Sequence, residues 1–235
     1  MKAMILAAGR GERMRPLTDT CPKPLLKVHG IPLIEYHITK LAQCGITEIV
    51  INYAWLGEMI AAYLGKGERF GVNITYSHEE QGALETAGGI IKALPLLTNS
   101  SGAGHANEAF MLINGDVFTD FNFSDMPTLA DDCLAHICLI ENPEHNKNGD
   151  FIFDNHQLKN IEHLPDSTIK HESTFTFSGL SVFHPDFFSS EHTKQSLKLG
   201  PMLKKAVSQH KVSASLLSCT WTDVGTPERL AFLNK

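Results

Sequence analysis

The sequence lacks any long hydrophobic run. No stretch of its 235 residues approaches the roughly 20 consecutive apolar residues that a membrane-spanning helix needs. Residues 3–8 form an apolar run where a signal peptide would lie, but the run is too short, and Arg10 and Glu12 follow it at once. We therefore expect a buried first strand, no membrane partner and a cytoplasmic location.

Paired cysteines and metal-binding histidine patterns are also lacking. The five cysteines are odd in number and form no CxxC pair, and the 12 histidines show no HxxxH spacing. Disulfide frameworks and zinc sites depend on such patterns. The sequence therefore predicts reduced thiols, with the histidines at the surface or in the core.

Positive charge is in deficit over the whole chain. The 20 Lys and Arg residues against 26 Asp and Glu residues give a net charge of −6. Nucleic acids are bound by clustered Lys and Arg, so we predict no nucleic-acid partner. A small phosphate-rich ligand needs only a few cations, and basic residues do concentrate early, at Arg10, Arg13, Arg15, Lys23 and Lys27.

Short apolar runs alternate with helical periodicity over the first half of the chain. The predicted strands are 3–8, 48–53, 73–77 and 109–114, and the predicted helices are 32–44, 57–64 and 86–97. This alternation predicts an α/β fold, a Rossmann-like, mixed and mostly parallel sheet flanked by helices. The small polar segment 98–107 is expected to be a surface insertion.

The second half is richer in predicted strands, with helices only near the end. The strands are 134–141, 150–153, 157–161 and 174–183, and the helices are 199–209 and 227–233. With 43% hydrophobic residues and no linker, we predict one domain over 1–235. Residues 1–120 would form a nucleotide-binding half, and 121–235 a sugar-phosphate-binding half with C-terminal helices.

Glycines follow the first predicted strand and form a candidate phosphate loop. Gly9 and Gly11 would let backbone N–H groups approach a phosphate closely. A dinucleotide-binding GxGxxG motif fails because Met14 stands at its third glycine, and no P-loop Gly-Lys-Ser/Thr follows. Arg13 and Lys23 would supply the positive charge at a triphosphate.

The segment 9–25 as a whole is a more specific signal of function than its two glycines alone. GxGxR over 9–13, then Pro16 and Thr18, then Pro-Lys-Pro-Leu over 22–25, resembles the signature of sugar-1-phosphate nucleotidyltransferases. The resemblance continues through NGD at 114–116, FSGL at 177–180, NIE at 160–162 and WTDVGT at 221–226. LETAGG at 84–89 resembles the family's LGTA turn beside the nucleobase, with Glu85 in place of the usual glycine.

This resemblance implies a nucleotidyltransferase fold and a set of roles. Mg²⁺ would be held by Asp116 and Asp223, and catalysis would depend on Arg13, Lys23, Asp116 and Asp223. The implied nucleotide-binding residues are Ala8, Gly9, Gly11, Glu12, Arg13, Lys23, Glu79, Gly82, Glu85 and Asn114. The implied sugar-phosphate-binding residues are Gly149, Glu162, Thr176 and Gly179.

Simpler interpretations compete for both aspartates. Gly115-Asp116 is also typical of a turn at the end of a strand. Thr226 followed by Pro227 is typical of a helix start, which would leave Asp223 merely preceding that helix.

Within the family, the runs at 1–19, 34–37, 53–57 and 84–89 are most similar to single-domain N-acetylmuramate-1-phosphate uridylyltransferases of peptidoglycan recycling. The resemblance implies transfer of UMP from UTP to a sugar 1-phosphate, giving a UDP-sugar and pyrophosphate. Mannose-1-phosphate guanylyltransferase, glucose-1-phosphate nucleotidyltransferase and a catalytically silent nucleotide-binding regulatory protein are the alternatives. A monomer and a homodimer are both compatible with the sequence.

Overall fold

The computed structural model describes residues 1–79, 84–98, 108–161, 173–189 and 196–235. Its helices are α1 Leu33–Gln43, α2 Gly57–Leu64, α3 Glu85–Leu97, α4 Leu199–Ser208 and α5 Pro227–Leu233. Its strands are β1 Ala3–Leu6, β2 Lys27–Val28, β3 Ile31–Pro32, β4 Glu48–Tyr53, β5 Asn73–His78, β6 Phe110–Asn114, β7 Val117–Thr119, β8 Ala135–Ile140, β9 Phe151–Asp154, β10 Gln157–Asn160, β11 Thr174–Phe183, β12 Val212–Leu216 and β13 Trp221–Asp223.

Nine strands form the central sheet of the described chain, in the order β10-β9-β11-β6-β1-β4-β5, with β8 against β11 and β12 against β8. The pairs β1–β4, β1–β6, β4–β5 and β8–β12 are parallel. β11 is antiparallel to β6, β8 and β9, and β10 is antiparallel to β9. Only β10 and β11 of these nine strands therefore oppose the rest, which confirms a mixed, mostly parallel sheet flanked by helices.

Both faces of the sheet are covered, and β1 shows why its sequence is continuously apolar. Met4 packs into the core on the side of α3 and α4, whereas Ala3 and Ile5 pack into the core on the side of α1 and α2. Successive side chains of a strand point to opposite faces, so a strand between two helical layers needs apolar residues at every position. All three side chains are fully buried.

The predicted strands and long helices are present, with ends that differ by one or two residues. The sequence interpretation missed β12 and the two small sheets β2–β3 and β7–β13. These strands have two to five residues each, too few for a period-two pattern to stand out. The predicted insertion 98–107 lies, beyond residue 98, outside the described residues. Within the described ranges, no helix combines the length and apolar character that crossing a membrane requires.

Candidate active site

A pocket of about 440 Å³ opens at the carboxyl ends of the parallel strands. Ligands of open α/β sheets bind at this edge. Its described lining residues are Leu6, Ala7, Ala8, Gly9, Gly11, Glu12, Arg13, Lys23, Pro24, Asn52, Glu79, Glu85, Thr86, Asn114, Gly115, Asp116 and Gly225. The fold thus brings ten of the predicted site residues to one cavity, from Ala8 in the first loop to Asp116 after β6.

The floor of the pocket is set by strand register. Leu6 at the end of β1 pairs with Asn52 on β4 and with Asn114 on β6, so two amides flank it. Asn52 Oδ1 accepts a hydrogen bond from the Ala7 N–H at 3.0 Å, and its Nδ2 donates to Glu79 Oε1 at 2.7 Å. Glu79 Oε2 accepts from the Leu84 N–H at 2.9 Å, which ties the start of α3 to the strand ends.

Glu79 was predicted to contact the nucleotide, and the structure places it in the pocket wall. The Asn52 and Glu79 side chains are each 3% exposed, and both Glu79 oxygens accept hydrogen bonds from the protein. A buried polar group is tolerated only when it is hydrogen-bonded in this way. The carboxylate thus holds two segments of the pocket wall in place.

Hydrogen bonds from Thr18 and Trp55 hold the candidate phosphate loop in place. Gly11 has a left-handed backbone (φ +67°), and a Cβ there would meet the Thr18 methyl group at 3.0 Å, so glycine suits both the conformation and the space. Thr18 Oγ1 donates to the Gly11 carbonyl at 2.8 Å, and Trp55 Nε1 donates to the Thr18 carbonyl at 3.0 Å. The Arg10 guanidinium lies 4.7 Å from the centre of the Trp55 ring.

Lys23 and Asp116 meet at the centre of the site. Lys23 Nζ lies 2.5 Å from Asp116 Oδ2, and the lysine side chain is only 11% exposed. The residue before the aspartate, Gly115, has no room for a side chain, because a Cβ there would come within 2.6 Å of the Leu6 carbonyl oxygen. The Gly115 N–H donates to that same carbonyl at 2.9 Å, so Asp116 is fixed against the end of β1.

Asp223 is brought beside Asp116 by strand pairing. β13 runs antiparallel to β7, with Asp223 opposite Val117, and the Val224 N–H donates to the Asp116 carbonyl at 2.8 Å. Two residues more than 100 positions apart thus become neighbours. Asp223 is not among the described pocket-lining residues, but Gly225 is. The predicted helix start at Thr226 and Pro227 is confirmed, and metal binding by Asp223 stays a prediction.

The carboxylate of Asp223 already has partners. Arg229 Nη1 donates to its Oδ1, and His145 Nε2 lies 3.0 Å from the same oxygen. His145 belongs to the connection between β8 and β9. Sequence reasoning treated the histidines as surface or core residues and assigned no role to Arg229.

The predicted sugar-phosphate-binding residues that the structure describes lie in two separate places. Gly179 (φ +79°) packs against Asn114, whose Nδ2 would lie 2.6 Å from a Cβ at that position. Gly149 (φ +68°) and Thr176 lie instead in a polar network. Thr176 Oγ1 donates to Asn142 Oδ1 at 2.9 Å and accepts from Asn146 Nδ2 at 3.1 Å. The network anchors the loop that carries His145. The predicted Gly82 and Glu162 lie outside the described residues.

Glu85 stands where the resembling turn has glycine, and its backbone is left-handed (φ +59°). That conformation costs a non-glycine residue about 1–2 kcal/mol. Such strain persists where the surrounding structure determines the backbone, often at functional sites. Its side chain is exposed and lines the pocket.

His37 on α1 lies buried behind Asp116. Burial lowers the pKa of its imidazole to about 4, a shift that the nearby Asp116 carboxylate partly opposes. Its ring stacks at 6.2 Å on Phe123. The imidazole is therefore neutral near pH 7.

The two aspartates fit a hard divalent cation. Their carboxylates are the oxygen ligands that Mg²⁺ prefers, and each already holds a protein cation, Lys23 on Asp116 and Arg229 on Asp223. No group of three or more His, Cys, Asp or Glu side chains suited to a metal occurs among the described residues. Two protein carboxylates nevertheless suffice for Mg²⁺, which completes its shell with water and substrate phosphates.

Sequence reasoning missed Asn52, His145 and Arg229. Asn52 carried a signal, because it is the one polar residue inside the apolar run 49–53. An amide in a buried strand needs a partner, and its position at the strand end points to the site. His145 and Arg229 carried no such pattern.

Comparisons with known proteins agree with this geometry. Residues 2–235 match the model of the family described as Nucleotidyl transferase. N-acetylmuramate alpha-1-phosphate uridylyltransferase of Neisseria meningitidis serogroup B is 48% identical over 238 residues, which cover 98% of this chain and 95% of that protein. Mannose-1-phosphate guanyltransferase of Kluyveromyces lactis is 32% identical over 237 residues. That match covers 97% of this chain but only 62% of the relative, so the chain spans less than two thirds of its length.

A solved structure is similar in fold. The Bacillus anthracis protein assigned as a glucose-1-phosphate thymidylyltransferase, crystallised with sucrose, superposes with a TM-score of 0.79 at 22% identity. The match covers 100% of this chain and 94% of that one. The chain is a member of the nucleotidyl transferase family, whose enzymes generally act with a divalent metal ion.

Proposed function

We propose that the protein transfers UMP from UTP to N-acetylmuramate 1-phosphate, releasing pyrophosphate and giving the UDP-sugar. The observation that carries the proposal is the convergence of Arg13, Lys23 and Asp116 on one pocket at the carboxyl ends of the parallel strands. The 48% identity to the Neisseria enzyme supports the choice of uracil and of the muramate sugar.

The reaction needs no protein nucleophile or general base. The acceptor phosphate is largely a dianion near neutral pH, since its second pKa lies near 6. One of its oxygens attacks the α-phosphorus of UTP, and the bond from that phosphorus to the bridging oxygen of the β-phosphate breaks. The electron pair leaves with pyrophosphate. The difficulty is electrostatic, because two anions must approach while charge builds on the leaving group.

The chain's own cations meet this difficulty. Arg13 is exposed on the phosphate loop, where it would stabilise the departing β- and γ-phosphates. Lys23, flanked by Pro22 and Pro24, would contact phosphate oxygens between the two substrates. Asp116 and Asp223 would hold Mg²⁺, which when bound neutralises phosphate charge.

The two halves of the chain have separate roles in this proposal. Residues 1–120 bind the nucleotide, with uracil contacted by backbone groups near Ala8 and Leu84. Residues 121–235 bind the sugar phosphate, with Gly149, Thr176 and Gly179 as candidate contacts, and Glu162, outside the described residues, is a further candidate by resemblance. The proposed setting is cytoplasmic peptidoglycan recycling.

A pyrophosphate-release assay with Mg²⁺ tests the proposal. It crosses UTP, GTP, CTP and dTTP with the 1-phosphates of N-acetylmuramic acid, N-acetylglucosamine, glucose and mannose. We expect release with UTP and N-acetylmuramate 1-phosphate. Preference for GTP with mannose 1-phosphate would instead favour the guanylyltransferase alternative, for which the Kluyveromyces likeness argues. Nucleotide binding without release from any pair would favour a silent binding protein.

A further inference from the structure

The carboxylate of Asp223 is held by an arginine, although it is one of the two proposed metal ligands. Arg229 Nη1 donates to Asp223 Oδ1 and lies 3.1 Å from His145 Nε2, and that histidine nitrogen lies 3.0 Å from the same aspartate oxygen. The Arg229 and Asp223 side chains are each 20% exposed, and His145 is 38% exposed. The three side chains form a cluster that solvent can reach.

Local structure directs Arg229 toward the pocket. Thr226 caps α5, and its Oγ1 accepts a hydrogen bond from the Arg229 N–H at 3.4 Å, which anchors the arginine backbone in the first turn. The guanidinium packs over Gly225, where a Cβ would come within 2.6 Å of Nη2. The φ of Gly225 is not left-handed, so space for the guanidinium explains the glycine. Gly225 lines the pocket, so the Arg229 guanidinium that packs against Gly225 lies directly behind the pocket wall.

His145 is held in place independently of Arg229. The next residue, Asn146, donates through Nδ2 to Asp150 Oδ1 and to Thr176 Oγ1, both at 3.1 Å. Asp150 Oδ2 in turn accepts from the Phe177 N–H at 2.9 Å. The loop that carries the imidazole is thereby tied to β11, so the cluster joins α5 to the second half of the sheet.

A divalent cation on Asp223 would compete with the Arg229 guanidinium for the same carboxylate. Mg²⁺ sits about 2.0–2.1 Å from a carboxylate oxygen, so an ion on Asp223 would stand within a few ångströms of the guanidinium. At such separations two positive charges repel strongly. An ion held by Asp116 and Asp223 would therefore weaken the Arg229 contact, and the guanidinium would become available to another anion.

We propose that Arg229, together with His145, binds the 1-phosphate of the acceptor sugar after a divalent cation has displaced it from Asp223. The inference rests on the proposed function, and specifically on the metal at Asp116 and Asp223. A guanidinium offers parallel N–H donors that match phosphate oxygens. Arg13 lies on the phosphate-loop side of the pocket and Lys23 at its centre, whereas Arg229 lies on the Asp223 side and would add a second cation next to the acceptor phosphate.

The first test is Mn²⁺ binding to the substrate-free protein, measured by electron paramagnetic resonance. Arg229→Gln should bind Mn²⁺ about fivefold more tightly than the wild type, because the competing cation is gone. Arg69→Gln is the matched control. It also removes one positive charge, but Arg69 pairs with Glu35 at 2.5 Å beside a separate cavity, so its Mn²⁺ affinity should stay at the wild-type value.

Two results distinguish a failure of the proposed role of Arg229 from a failure of the metal assignment. Unchanged Mn²⁺ affinity in Arg229→Gln, with affinity lost in Asp223→Asn, would overturn the role of Arg229 and leave the metal assignment standing. Unchanged affinity in Asp223→Asn would refute the metal assignment itself, and the role of Arg229 with it.

The second test is steady-state kinetics of the same variants. Arg229→Gln should raise the KM for the sugar 1-phosphate about tenfold with little change in the KM for UTP, and Arg229→Lys should recover part of the loss because it keeps the charge. N-acetylglucosamine 1-phosphate has the same 1-phosphate as the muramate substrate but lacks its lactyl carboxylate. Its Ki as an inhibitor should therefore rise by the same factor. A loss confined to the muramate substrate would place Arg229 at that carboxylate and overturn the phosphate assignment.

Discussion

Replacing Gly89 by alanine would place a methyl group against the most constrained part of the pocket wall. Gly89 lies inside α3, where alanine is favoured over glycine by about 1 kcal/mol. An ideal Cβ at this position, however, would lie 2.6 Å from Glu79 Oε1 and 2.9 Å from Asn52 Nδ2. These are the two atoms of the 2.7 Å hydrogen bond that joins the side chains.

Neither side chain can move aside cheaply. Asn52 is held at its other end by the Ala7 N–H at 3.0 Å, and Glu79 by the Leu84 N–H at 2.9 Å. Overpacking costs about 1–3 kcal/mol, and loss of a hydrogen bond to a charged group costs about 1.5–3 kcal/mol. Against a gain of about 1 kcal/mol from helix propensity, we expect Gly89→Ala to lower the free energy of unfolding by about 3 kcal/mol.

Urea unfolding near pH 7 measures this loss as a lower transition midpoint. Gly200→Ala is the matched control. Gly200 lies in the first turn of α4, and a Cβ there would meet nothing within 4 Å, so alanine should be neutral or stabilising by up to about 1 kcal/mol. If Gly89→Ala were as stable as Gly200→Ala, the Asn52–Glu79 contact would not be the rigid support that we infer.

Three further predictions concern residues around the site. The pKa of His37 is about 4 in the folded chain, against an ordinary value of 6.5. Between these two pH values the unfolded chain binds a proton at His37 and the folded chain does not. Stability should therefore fall as pH drops from 6.5 to 4, by about 3 kcal/mol from this group, and urea titrations of His37→Leu should lack that part of the pH dependence. Gly115→Ala would force a methyl group to 2.6 Å from the Leu6 carbonyl, so kcat should fall at least about tenfold as the following carboxylate shifts; an unchanged kcat would contradict the close fit. Trp55→Phe removes the indole donor to the Thr18 carbonyl and leaves a smaller ring beside Arg10, and we expect the KM for UTP to rise about threefold to tenfold with kcat little changed, measured by pyrophosphate release.

Much of the fold was predictable because its signals are local. The continuous apolar run of β1 predicted a strand buried on both faces, and Met4 and Ile5 do pack on opposite sides. The spacing of Ile34, Ile38 and Leu41 predicted α1, and all three side chains are buried. These patterns need no knowledge of distant contacts.

The pocket could be predicted only in part. Gly11 and Lys23 lie in a segment whose composition indicates a phosphate loop, and both line the pocket. The pairing of β7 with β13 could not be predicted, since strands of three residues carry no periodicity. The cluster of Arg229, His145 and Asp223 depends on that pairing and on the packing of α5, which no local pattern encodes.

The proposed uridylyl transfer and its two metal-binding aspartates are tested most directly by formation of the UDP-sugar from UTP, N-acetylmuramate 1-phosphate and Mg²⁺, followed by mass spectrometry in the wild type, Asp116→Asn and Asp223→Asn. We expect product in the wild type and a loss of at least about a hundredfold in turnover in each variant, with the thermal unfolding transition retained. Wild-type turnover in either folded variant, or no product from the wild type, would contradict this proposal.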